Sequence, residues 1–115
     1  MSTFPILDQF NFHHTLESTR GVVIVFFARE GCGSCRHWRG VLADYRVQRA
    51  HALQIFEVDA VRDSALIREF GVYHLPALYL YRDGHFHAEL RAEAHPAKLH
   101  AAIETQLIAP AEEAP

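Results

Sequence analysis

Cys32 and Cys35 are the only cysteines of the chain and lie in the run Gly31-Cys-Gly-Ser-Cys35. Two thiols at that spacing support disulfide exchange or metal binding, or do no chemistry at all if they are simply small buried hydrophobes. They are too few for the disulfide framework of a small secreted protein, and in a reducing compartment the Cys-x-x-Cys spacing favours redox chemistry or metal. Gly31 and Gly33 leave Cys32 little side-chain cover, which weighs against inert burial. Zinc takes about four ligands, yet only His37 stands near the pair in sequence, and His13, His14, His85 and His87 reach it only by distant approach. No metal site is therefore expected.

Exchange requires a thiolate, so one sulfur has to be reachable and its anion stabilised. After the pair, Trp38, Val41, Leu42, Tyr45 and Val47 recur at helical spacing, which predicts a helix from about Cys32 to Ala50. Cys32 then sits at the amino end, where unpaired N–H groups and the positive end of the macrodipole favour the anion. Arg36 and His37 add positive potential and Glu30 opposes it. Trp38 reads as core packing.

Upstream, the unbroken run Val22–Ala28 reads as a strand buried on both faces. A helix is expected before it from about Asp8, with Asp8 as its cap. Downstream, Leu53–Asp59 reads as a strand, and a short helix carrying Ala65, Leu66, Ile67 and Phe70 is capped by Asp63 and ended by Gly71. Leu75–Tyr81 and His85–Arg91 flank the turn signal Arg82-Asp-Gly84, with Phe86, Ala88 and Leu90 alternating on one face. Pro96 opens a last helix with Leu99, Ile103, Leu107 and Ile108, and residues 109–115 read as a disordered tail.

The order helix, strand, helix, strand, helix, hairpin, helix predicts an α/β fold. Its mixed sheet combines parallel strands with a carboxy-terminal antiparallel hairpin, and helices cover both faces. A chain of 115 residues, half of them hydrophobic, suits one domain, here residues 1–108, expected to be a monomer. The net charge of -3 gives no surplus for nucleic acid, and no apolar run is long enough for a bilayer. The first residues show no basic stretch followed by an apolar one, so a cytoplasmic address is the expectation. The strand aromatics Phe26, Phe27, Phe56, Tyr79 and Tyr81 read as core or sheet-face residues and not as a stacking platform, and no cofactor is expected. Most of the nine histidines read as surface imidazoles, with His85 and His87 sharing one strand face.

This order of elements, with Cys-x-x-Cys at the first strand-to-helix junction and a proline opening the hairpin, resembles the thioredoxin family from about Phe10 to Leu107. The residues that carry the resemblance are Phe26-Phe-Ala28 leading into Cys32-Gly-Ser-Cys35, Val58-Asp59, Phe70-Gly-Val72, Leu75-Pro76 and Asp83-Gly84. It implies a thioredoxin fold and thiol-disulfide oxidoreductase activity on protein disulfides, in the reducing direction if the address holds. A thioredoxin reductase or another thiol donor would supply the electrons. Cys32 takes the place of the attacking cysteine, Cys35 that of the resolving one and Pro76 that of the cis-proline facing them. Gly33, Ser34, His74, Leu75 and Pro76 become the substrate-binding set, the Leu75 backbone forming a shelf for a substrate strand.

Several positions depart from the family pattern. Ser34 replaces a proline, Glu30-Gly31 stand where a tryptophan is common, the usual buried aspartate falls on Val25 or Phe26, and its lysine partner falls on Ile55. Slow resolution by Cys35 is the expected consequence. Two rivals to an enzyme remain on the sequence: a binding or assembly module with weak exchange, and an adapter for a metal or glutathione.

Overall fold

The computed structural model describes residues 4–49 and 53–115. The strand β2 (Val22–Ala28) lies at the centre of a five-stranded sheet in the order β1-β3-β2-β4-β5. On one side it pairs in parallel with β3 (Leu53–Asp59), Val22 opposite Leu53 through Ala28 opposite Asp59. On the other it pairs antiparallel with β4 (Ala77–Arg82). With ladders on both edges and helices over both faces, β2 has no solvent side, which accounts for its unbroken apolar sequence.

Alternate β2 residues feed two cores. Ile24 and Phe26 pack with Cys35, Trp38, Leu42, Leu80, Leu99 and Ile103 beneath α2 (Gly33–Arg49) and α4 (Pro96–Ile108). Val23, Val25 and Phe27 pack with Phe12, Leu16, Leu66 and Phe70 beneath α1 (Phe12–Glu17) and α3 (Ser64–Phe70). Trp38 belongs to the first core, as its helical spacing predicts.

The amino-terminal region departs from expectation. The lead-in contains a strand, β1 (Ile6–Leu7), parallel to β3, too short to show a period of two in sequence. The first helix starts at Phe12 and not near Asp8. Asp8 instead holds a turn, its Oδ1 accepting from the N–H groups of Phe10 and Asn11 at 2.9 Å each. Asp63 precedes α3, but its side chain does not cap it: Oδ1 accepts from Gln9 N–H at 3.2 Å and Oδ2 from Arg62. A carboxylate with a longer-range donor in reach leaves the local capping bond unmade. The predicted helix end at Ala50 lies outside the described residues, and the last described residue of α2 is Arg49.

The hairpin forms where its turn signal stands. Asp83 and Gly84 both take positive φ, 52° and 85°, between the paired residues Arg82 and His85, which is the type I′ geometry that matches strand twist. The β5 strand (His85–Leu90) does not keep the simple alternation. A bulge lies between the pairs Leu80–Ala88 and Tyr81–Phe86. One extra residue reverses the faces on its two sides. Phe86 therefore packs on the α1/α3 core and Leu90 in the α2/α4 core. His87 is buried and not a surface imidazole, and its Nε2 donates to the Gln106 carbonyl of α4 at 2.5 Å. Beyond α4, where a disordered tail is expected, Glu112 returns to β5. Its N–H donates to the His87 carbonyl at 2.6 Å and its Oε1 accepts from Glu89 N–H at 3.0 Å.

Candidate functional site

The loop after β2 delivers the cysteines. Gly31 takes φ 76°, a left-handed conformation that side-chain-bearing residues rarely adopt, and it turns the chain from the strand end into α2. Cys32 then occupies the residue before the helix: its carbonyl accepts from Arg36 N–H at 3.1 Å and its Sγ from Cys35 N–H at 3.1 Å. The sulfur thus takes the place of a capping oxygen, satisfying a first-turn donor that the helix itself cannot. The first turn of this 17-residue helix carries no acidic residue, so the positive end of its dipole is not offset by a neighbouring carboxylate within the turn.

The two sulfurs are joined in a disulfide, with the Cα atoms 5.2 Å apart. They are not equivalent. Cys32 is half-buried, while Cys35 has no exposed surface and packs among Phe26, Trp38 and Leu42. Gly33 and Ser34 are exposed on the helix start between them.

Leu75 and Pro76 precede β4, and the bond between them is cis. Both are partly buried, and Leu75 packs against the same core as Cys32 and Cys35. His74 is exposed, as is Tyr73, which has 90% of its surface free. Tyr73 escapes a sequence reading because a single aromatic in a loop carries no period. Of the other candidates near the pair, His37 donates from Nε2 to the Ala94 carbonyl at 3.3 Å.

Phe26, and not Val25, is the β2 residue on the cysteine side of the sheet. No acid stands there or at Ile55. Of the two buried carboxylates among the described residues, Asp63 precedes α3 and Glu57 stands on β3, opposite Phe26 in the ladder. Arg39 of α2 grips Glu57 with two bonds, Nε to Oε1 at 3.2 Å and Nη2 to Oε2 at 2.9 Å, and lies over the Phe26 ring. The hydrogen bond to Glu57 raises the Arg39 pKa above its ordinary value, against the opposing effect of burial. Arg39, Glu57 and Cys32 share the lining of one cleft beside the pair. Among the described residues no group of three or more His, Cys, Asp or Glu side chains is arranged to hold a metal ion.

Comparison with known proteins agrees with this arrangement. The thioredoxin family model matches residues 3–105. The thioredoxin of Listeria monocytogenes serovar 1/2a is 32% identical over 68 residues, a stretch covering 59% of this chain and 66% of that protein. The thioredoxin of Mycobacterium tuberculosis (strain ATCC 25618 / H37Rv) is 29% identical over 83 residues, covering 72% of this chain and 71% of that protein. Among solved structures, the zinc-bound form of human ERp44 superposes with a TM-score of 0.75 over 90% of this chain and 31% of that one, and at 17% identity the likeness is one of fold. With a mixed five-stranded sheet, a Cys-x-x-Cys pair at the start of α2 and a family model matched over most of its length, the chain belongs to the thioredoxin family.

Proposed function

We propose that this protein is a thiol-disulfide oxidoreductase of the thioredoxin type that reduces protein disulfides through Cys32 and Cys35. The observation that carries the reading is the asymmetry of the pair: Cys32 half-buried with its sulfur at the helix start, Cys35 enclosed behind it. The Cys32 thiolate attacks one sulfur of the partner's disulfide, whose S–S bond breaks and whose other sulfur leaves as a thiolate. The Cys35 thiolate then attacks Cys32 Sγ in the mixed disulfide, closing the Cys32–Cys35 bond and releasing the partner's second sulfur. Two electrons pass to the partner, and a thioredoxin reductase or another thiol donor returns them.

Gly33 and Ser34 at the helix start, with His74, Leu75 and Pro76 across from it, form the substrate-binding set in this reading. The exposed ring of Tyr73 adds apolar surface beside it. The use of only two cysteines, at redox spacing, supports a reducing cytoplasmic compartment. Among the described residues no helix is long and apolar enough to cross a membrane.

An insulin-type disulfide reduction assay tests the activity. Cys32→Ser is expected to abolish exchange, a loss of at least about a hundredfold given that the thiolate is the nucleophile. Cys35→Ser is expected to accumulate mixed disulfides on Cys32, and mass spectrometry of the trapped species would identify the partners. Alkylation of the reduced protein at Cys35 ahead of Cys32 would overturn the assignment of roles.

A further inference from the structure

The ion pair of Arg39 and Glu57 stands beside the cysteines, and the exchange step makes no use of it. Arg39 follows Cys35 by four residues within α2, so the two side chains share a helix face, with Cβ atoms about 5–6 Å apart. The guanidinium lies 5.6 Å from the centre of the Phe26 ring, and Phe26 and Cys35 belong to one apolar cluster. Both members of the pair also line the cleft that Cys32 lines. Their side chains are withdrawn from solvent, 26% exposed for Arg39 and 10% for Glu57, so salt screens them less than it screens surface charges.

The other charges lining this cleft cancel. Arg29 and Arg36 stand against Glu30 and Asp59, and Asp63 covers Arg62 at 3.0 Å. The residues that β4, β5 and α4 contribute to the Cys35 cluster are apolar. His74, before β4, is exposed, His37 is exposed and bonded to Ala94, and the Tyr45 hydroxyl is bonded to His100, ten residues beyond Cys35 on α2. Whether a net cation faces the sulfurs therefore turns on Glu57.

We propose that Glu57 sets the redox poise of the Cys32–Cys35 pair by covering the Arg39 guanidinium, so that the reduced pair gains no stabilisation from that cation and remains a reductant. The inference rests on the exchange reading above. Reduction by a thiol donor breaks the S–S bond, adds two electrons and two protons, and leaves thiols that ionise, so the reduced state carries negative charge where the disulfide carries none. A bare guanidinium one turn from Cys35 would favour the reduced state alone and raise the reduction potential. At the effective dielectric of a protein surface, a unit charge about 10 Å from an ionising group shifts its equilibrium by on the order of tenfold. Glu57 acts through Arg39 and is in this sense a positioning residue.

The test is the reduction potential of the full chain in glutathione redox buffers at pH 7, with thiolate absorbance of the reduced protein titrated in parallel. Glu57→Gln keeps an acceptor for Arg39 and removes the negative charge. It is expected to raise the potential by up to about 30 mV, the equivalent of tenfold, and to move thiolate formation to lower pH. Arg39→Gln/Glu57→Gln removes both charges and is expected to return both readings to wild type, whereas a purely structural grip would make this double variant depart at least as far as the single one. Arg39→Lys/Glu57→Gln leaves a cation uncovered on a stem that can reach water, and it is expected to shift both readings in the same direction as Glu57→Gln, which keeps the proposal testable if that variant does not fold. An unmoved or lowered potential in the variants with an uncovered cation, or a shift that persists when both charges are gone, would overturn the role of Glu57. These readings need no protein substrate, so a failure of the wild-type chain to reduce insulin would overturn the exchange reading and leave the role of Glu57 to be decided by them.

Discussion

Cys35 has no exposed surface and belongs to the apolar cluster that includes Phe26, Trp38 and Leu42, and apolar burial disfavours a thiolate. Nothing on the cysteine side of β2 takes its proton, and the buried acid of the neighbouring strand, Glu57, is engaged in a two-bond grip by Arg39. Formation of the mixed disulfide at Cys32 is therefore expected to outpace its decay by about tenfold or more, and the decay to accelerate as pH rises from 7 to 9, since each pH unit below a thiol's pKa costs about tenfold in thiolate. Rapid-mixing measurements of both phases check this, and decay that is fast and pH-independent near pH 7 would contradict it. The cysteines were legible in sequence because their spacing is itself the motif. Glu57 was not, because an acid inside an apolar strand run reads as a solvent-facing strand position, and its burial depends on Arg39, eighteen residues away on α2.

The hairpin shows the same division between elements. Asp83-Gly84 is a local signal with a local cause, the positive φ at both positions. Its surroundings are not local: a Cβ on Gly84 would lie 2.5 Å from the carbonyl oxygen of Glu17, at the end of α1, and Asp83 Oδ1 accepts from Gly21 N–H at 2.8 Å. Gly84→Ala is accordingly expected to destabilise the fold by about 1–3 kcal/mol, through both backbone strain and the clash. The midpoint of urea denaturation measures it, and an unchanged midpoint would mean that α1 does not press on the turn. Farther along β5, periodicity misplaces Phe86 and His87, since a bulge leaves no mark in a pattern of apolar residues and reverses which face each side chain takes.

Across the whole molecule, the α1/α3 core contains a set of aromatic rings in contact: Phe12, Phe27, Phe70, Tyr79, Tyr81 and Phe86. Burial, reinforced by Glu89, pushes the Tyr79 hydroxyl up to about 12, and burial with Glu69 pushes Tyr81 well above its ordinary value. In the unfolded chain both ionise near pH 10. Below that pH the two states bind the same protons and stability is unaffected. Between about pH 10 and 12 the unfolded state has released protons that the folded state retains, so stability falls as pH rises, by on the order of 1–3 kcal/mol for Tyr79 alone. Alkaline denaturation followed by circular dichroism, with tyrosinate absorbance recorded in parallel, is expected to show ionisation of these rings only as the fold is lost. Ionisation complete by pH 10 with the fold intact would contradict the enclosure.

The chain alone determined the α/β class, the strands at 22–28 and 53–59, the hairpin and the placement of Cys32 at a helix start. Each follows from interactions within a few residues: an apolar run, a helical period, an Asp-Gly pair, two thiols a turn apart. Tertiary structure decided which of Val25 and Phe26 backs Cys35, where the buried carboxylates lie, that His87 is enclosed by α4, and that Arg39 and Glu57 share a cleft with Cys32. These depend on register across the sheet and on helices laid over it, and a pairing between residues distant along the chain leaves no periodic trace in either partner's neighbourhood.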